Sequence, residues 1–144
     1  MAPSKKKAKK KYFTLAEANA SLPLVRAIVQ DIAQLAPEMR ARHERLQRLA
    51  PEDGPRVTAA GREEVERIQA DLEREHERMN EYFAELGKLG IELKDPFTGL
   101  LDFPSIRDNR EVYLCWKLGE PEVAHWHELN AGFSGRQRIS KQLA

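Results

Sequence analysis

The sequence predicts an α+β fold: a long antiparallel helical hairpin followed by a small antiparallel β-sheet of three or four strands. Three observations predict it. Apolar residues recur at helical spacing along two segments between Leu15 and Leu86, separated by a break rich in Pro and Gly. After Gly90 the period changes to two, with Ile91 and Leu93 alternating with Glu92 and Lys94. Both tryptophans, the one cysteine and two of the four histidines then fall within residues 110–136, where VYLCWKL and VAHWHEL flank GEPE. That is the pattern of two strands joined by a tight turn.

The elements follow in chain order. Residues 1–11 carry Lys5, Lys6, Lys7, Lys9, Lys10 and Lys11 and too few apolar side chains to pack, which predicts a disordered leader. Thr14-Leu15-Ala16-Glu17 has capping-box spacing, so a helix begins there. Pro23 lacks an amide hydrogen and suits a first turn. The expectation is therefore a short helix near residues 15–20 and a long one from about Leu22, kinked at Pro37. Val25, Ile28, Val29, Ile32, Leu35, Ala36, Met39, His43 and Leu46 form one stripe of that long helix.

Pro51, Gly54 and Pro55 make residues 50–57 a loop, and Thr58 caps a second helix whose face is Val65, Ile68, Leu72, Met79, Phe83 and Leu86. Gly90 takes the left-handed closing position. At a rise of about 1.5 Å per residue, helices of about 30 residues are roughly 45 Å long. A globule of this size has a radius of gyration of about 15 Å. The hairpin should project, coiled-coil-like, and its stripe predicts a homodimer in a four-helix arrangement.

In the C-terminal half, Leu101 and Phe103 mark a further strand bounded by Gly99 and Pro104. A turn over residues 119–122 would pair Leu118 with Val123, Trp116 with His125 and Leu114 with His127. The organisation is one domain over residues 12–144: hairpin 12–90, β-meander 91–129 and Gly-punctuated tail 130–144.

Composition narrows the function classes. No run of about 18 apolar residues is present, so no membrane span is expected. The lysine leader continues into YFTLAEAN and has no secretory h-region. Cys115 alone forms no internal disulfide, which fits a reducing cytoplasm. The net charge of +1 hides a division: without the six leader lysines, 18 of the 24 basic residues face 23 acidic ones, a balance of −5. A basic arm on an acidic body suits non-specific contact with phosphates, a nucleic-acid-associated role, better than a folded DNA-reading face.

Candidate chemistry concentrates on the sheet. His125 and His127, two apart on a strand, share a face and are the metal-ligand candidates, with Asp102, Glu111 or Glu128 as third donors. No second spaced motif selects among those donors, so no cofactor is assigned. In the expected register Cys115 lies with Tyr113 and Trp126, away from the histidines, as a small buried hydrophobe. Glu73-Arg74-Glu75-His76 has the Glu-x-x-His spacing of metal-binding bundles, but Glu73 falls off the apolar stripe. Arg107, Arg110, Arg136 and Arg138 offer fixed planar charge for an anion.

Phe13-Thr14, Glu17-Ala18-Asn19, Leu22-Pro23, Glu92-Leu93-Lys94-Asp95 after Gly90, Asp102-Phe103-Pro104, Arg110 with Tyr113-Leu114-Cys115-Trp116, Gly119-Glu120, Trp126-His127, Gly132-Phe133 and Gly135-Arg136-Gln137 together resemble an uncharacterised bacterial family, domain of unknown function 2203. The resemblance covers nearly all of the chain after the leader and implies a small stand-alone bacterial protein. It carries over no catalytic residue. The leader and His125 are outside the family pattern.

The leading expectation is a cytoplasmic homodimeric binding module rather than an enzyme. Its aromatic, arginine-bearing sheet would take a partner protein or a small anion through Asp102, Arg110, Tyr113, Trp116, Glu120, Trp126, His127, Glu128 and Arg136. The alternatives are a nucleic-acid-associated factor using the lysine arm, and a metal-binding protein or enzyme centred on His127.

Overall fold

Thr14 opens the first helix as its spacing predicts: its hydroxyl accepts from the Glu17 amide at 3.0 Å, and the Glu17 carboxylate accepts from the Thr14 amide at 2.9 Å. In the computed structural model, which describes residues 10–51 and 57–140, helix α1 runs unbroken over Leu15–Leu49. Lys5, Lys6, Lys7 and Lys9 and most of the 50–57 loop lie outside the described residues.

The expected division at Pro23 does not occur, and both Pro23 and Pro37 sit inside α1. An interior proline costs about 3 kcal/mol. Ala18, Leu22, Val25, Ile28, Val29 and Ile32 are buried along this stretch, and each large aliphatic among them contributes about 1.5–3 kcal/mol. Tertiary packing outweighs the local penalty.

Helix α2 spans Ala59–Leu89, capped by Thr58 and closed by Gly90 in the left-handed region at φ 85°. Val65, Ile68, Leu72, Met79 and Leu86 are buried, while Phe83 of the same stripe is 40% exposed. Arg42 of α1 reaches the buried Glu75 of α2 at 3.0 Å and fixes the helices' relative register.

Five antiparallel strands follow in sequence order: β1 Glu92–Asp95, β2 Leu100–Arg107, β3 Arg110–Lys117, β4 His125–Glu128 and β5 Gln137–Arg138. The fifth comes from the tail that showed no period. Asp108 and Asn109, both at positive φ, make the two-residue turn between β2 and β3. Pro104 is tolerated inside β2 because its carbonyl accepts from Phe13 on the side away from β3. Its missing donor therefore costs no bond in the β2–β3 ladder.

One face of the sheet carries Leu101, Phe103, Val112, Leu114, Trp116 and Trp126, all in a core shared with α1 and α2. Gly99 lets α1 approach: at φ 70°, a Cβ there would sit 2.7 Å from both Val29 Cγ1 and Leu118 Cβ. Gly99→Ala should cost about 1–3 kcal/mol in urea unfolding through overpacking. Gly87→Ala, with open space around it, is the control and should be neutral or stabilising. Equal effects would contradict the close packing of α1 on the β1–β2 turn.

The β3–β4 register departs from expectation by one residue. Leu114 pairs with Trp126, Tyr113 with His127 and Cys115 with His125, not Leu114 with His127. The cause lies in α1. The Asn19 side chain accepts from the Val123 amide at 2.7 Å and donates to its carbonyl at 3.2 Å. Val123 is thereby satisfied by α1, and residues 118–124 form a wider connection than a four-residue turn. Because side chains alternate along a strand, a slip of one exchanges the two faces of β4. Trp126 enters the core and both histidines turn outward. No helix among the described residues is long and apolar enough to cross a membrane.

Candidate functional site

Pairing across the sheet sets a row on the outer face: Glu92, Asp102, Cys115 and His125 are successive partners on β1 to β4. Tyr113 and His127 form the next row. His127 reaches diagonally between rows, placing its Nε2 2.9 Å from Asp102 Oδ1. Cys115 lies beside them. One ligating atom from each of Asp102, Cys115 and His127 lies within 4.8 Å of the other two. The three residues are 3%, 0% and 2% exposed. The earlier placement of Cys115 away from the histidines is thus corrected by the same register shift.

The hydrogen bonds constrain the protons. His127 Nδ1 is 2.8 Å from the Glu128 carbonyl oxygen, which can only accept, so Nδ1 carries a hydrogen. Nε2 faces the Asp102 carboxyl and shares one proton with it. Burial pushes the Asp102 carboxyl up, against the His127 hydrogen bond that pulls it down. Burial and then the neighbouring Asp102 charge push the Cys115 thiol up to about 12. A thiol so disfavoured as thiolate is no nucleophile. The same three atoms are carboxylate oxygen, imidazole nitrogen and sulfur, a donor set for a soft or borderline cation. The Nδ1–H bond to the backbone is the outer-shell contact that orients a ligating imidazole.

A cavity of about 300 Å³ opens against this trio, lined also by Lys94, Leu100, Tyr113, Leu129, Asn130 and Phe133. Glu92 accepts from Lys94 at 2.9 Å and from the Tyr113 hydroxyl at 3.0 Å. Burial raises its carboxyl, but those bonds prevail and hold it below the usual range. The Tyr113 ring packs 5.4 Å from the His127 ring.

The remaining candidates separate into other neighbourhoods. Arg136 grips Glu120 through both terminal nitrogens, at 2.7 and 2.9 Å, and donates to the Cys115 carbonyl at 3.3 Å. Burial raises the Glu120 carboxyl, but the Arg136 and Lys117 amide bonds outweigh it and keep it lowered. Arg110 pairs with Glu128 at 2.6 Å. These two arginines are thus paired with the protein's own carboxylates. His125 shares the outer face with His127 but approaches Glu120 at 4.0 Å, and its Nδ1 has no hydrogen-bond partner. Burial and then Arg136 lower its pKa.

Trp116 and Trp126 are buried in the core, Trp126 at the edge that lines a cavity. Arg107 stacks 4.4 Å over the Trp126 ring. Of the arm, Lys10 lies 4.0 Å from Glu111 and Lys11 sits over Phe13. A larger cavity of about 660 Å³, between the arm and the inner face and lined by Phe13, Leu15, Arg107, Val112, Leu114 and Trp126 among others, holds no comparable cluster. Cys115 is the site residue that sequence reasoning missed. The alternation in VYLCWKL sets its face with Tyr113; what pairs opposite depends on Asn19.

A family model described as an uncharacterized conserved protein, DUF2203, matches residues 11–139. Comparison with curated proteins and with solved structures gives no match.

Proposed function

We propose that this chain, which belongs to the uncharacterised conserved family DUF2203, binds a divalent transition ion through Asp102, Cys115 and His127 and receives a small ligand or substrate at that ion. The observation that carries the reading is the convergence of three different donor atoms within 4.8 Å in a buried site facing a cavity. Zinc suits the set best, because it accepts thiolate, imidazole and carboxylate together at about 2.0–2.3 Å. Modest side-chain adjustment brings the donors to such distances. An ion there takes the place of the shared Asp102–His127 proton and of the thiol hydrogen, removing the penalty that makes Cys115 so weak an acid.

Three protein donors leave one position toward the cavity. That open position separates catalytic zinc sites, where water or substrate is activated, from closed structural ones. The small ligand expected for the sheet then binds at the ion, with Tyr113, Asn130 and Phe133 shaping its space, rather than at the arginines.

Elemental analysis of untagged protein purified without chelator is expected to find zinc or iron, with one equivalent lost in Cys115→Ser and in His127→Ala. Cobalt(II) added to chelator-treated protein should give the thiolate-to-metal absorption band, and Cys115→Ser should not. A wild-type chain that is metal-free as purified and also shows no such band would defeat this reading.

A further inference from the structure

A second pair of metal-ligating side chains stands on the hairpin, away from the sheet. His43 of α1 and His76 of α2 present their Nε2 atoms to one another at 3.3 Å, with ring centroids 5.4 Å apart. Both side chains are exposed. Buried Met39 lies four residues before His43, and buried Leu72 and Met79 lie four before and three after His76, so both imidazoles border the packed stripe of their helix. The Arg42–Glu75 ion pair stands one residue earlier on each helix.

The separation is informative. At 3.3 Å one ring can donate to the other in a direct hydrogen bond, and the same separation suits a shared ion. Two nitrogens each about 2.05 Å from one tetrahedral ion lie roughly 3.3 Å apart.

We propose that His43 and His76 form a two-imidazole interhelical clamp for a divalent transition ion, distinct from and independent of the sheet site. Imidazole selects zinc, nickel or copper over magnesium and calcium. Such an ion ties α1 to α2 part-way along the hairpin, and because it binds only the folded pair it stabilises the fold by mass action.

The test uses untagged full-length protein carrying Asp102→Asn, which disables the sheet site. Nickel(II) titrated by calorimetry should bind with one equivalent and raise Tm. Adding His43→Ala or His76→Ala should abolish both effects. Far-UV circular dichroism checks folding; His43 and His76 are exposed, so these changes should leave it intact. No binding in the Asp102→Asn protein would overturn the clamp, as would binding that survives either substitution. If His43→Ala lowers Tm while nickel does nothing, the pair is only a hydrogen bond and the proposal fails. The wild-type stoichiometry separates the two sites: two equivalents if both exist, one if only the clamp does.

Discussion

Trp116→Ala is expected to lower the free energy of unfolding by about 3–5 kcal/mol, the range for emptying a large aromatic from a core that relaxes only partly. Trp116 has no exposed surface, sits opposite Leu101 of β2, and donates from Nε1 to the Glu120 carbonyl at 3.1 Å. Arg26 of α1 lies 5.7 Å above the ring and donates to the Pro121 carbonyl at 3.2 Å. Truncation therefore leaves a void, an orphaned carbonyl and a loosened connection between β3 and β4. Trp116→Phe keeps most of the volume and loses the donor, so it should cost less, about 1–3 kcal/mol. Urea unfolding followed by the remaining Trp126 fluorescence reads both. An unchanged midpoint in Trp116→Ala would mean that this sheet face is not the core.

The same tryptophan shows what was legible in the sequence and what was not. Helix limits are local chemistry, and they were readable: a hydroxyl and a carboxylate three residues apart at Thr14 and Glu17, a left-handed glycine at Gly90. The change of period after Gly90 likewise exposed the strands. Pro23 misled because its penalty is local, while the burial that overrides it comes from the sheet. The β3–β4 register was hidden for a similar reason. It depends on Asn19 holding Val123 across a separation of 104 residues, and no rule of turn length contains that contact.

One unread contact had a large consequence for the site. His127 and Asp102 are both candidates from residue type, yet the expected register sets Cys115 and Trp126 together on the face opposite the histidines. Arg110 and Arg136 were readable as fixed charge, but their use was not. Glu128 and Glu120 occupy them, and which carboxylate meets which guanidinium is decided only once the strands are in register.

His127→Leu in metal-free protein should cost about 3–5 kcal/mol, because it strands the Asp102 carboxylate in the interior without its partner. The buried pair at 2.9 Å explains the direction. Both side chains are buried, burial already pushes the carboxyl up, and leucine supplies no donor. The compensating variant carries the argument. In Asp102→Leu/His127→Leu both polar groups are gone, and replacing a buried pair with apolar groups of similar size is often neutral or stabilising. Urea midpoints for the wild type, the two single variants and the double variant, all in chelator, close the cycle. The double variant should recover most of the loss seen in either single one. Additive costs would mean the two side chains are not coupled. If recovery is seen, folding does not require Asp102 and His127 to be polar. That outcome would support the proposed ion-binding role of the carboxyl, imidazole and thiol at the back of the cavity.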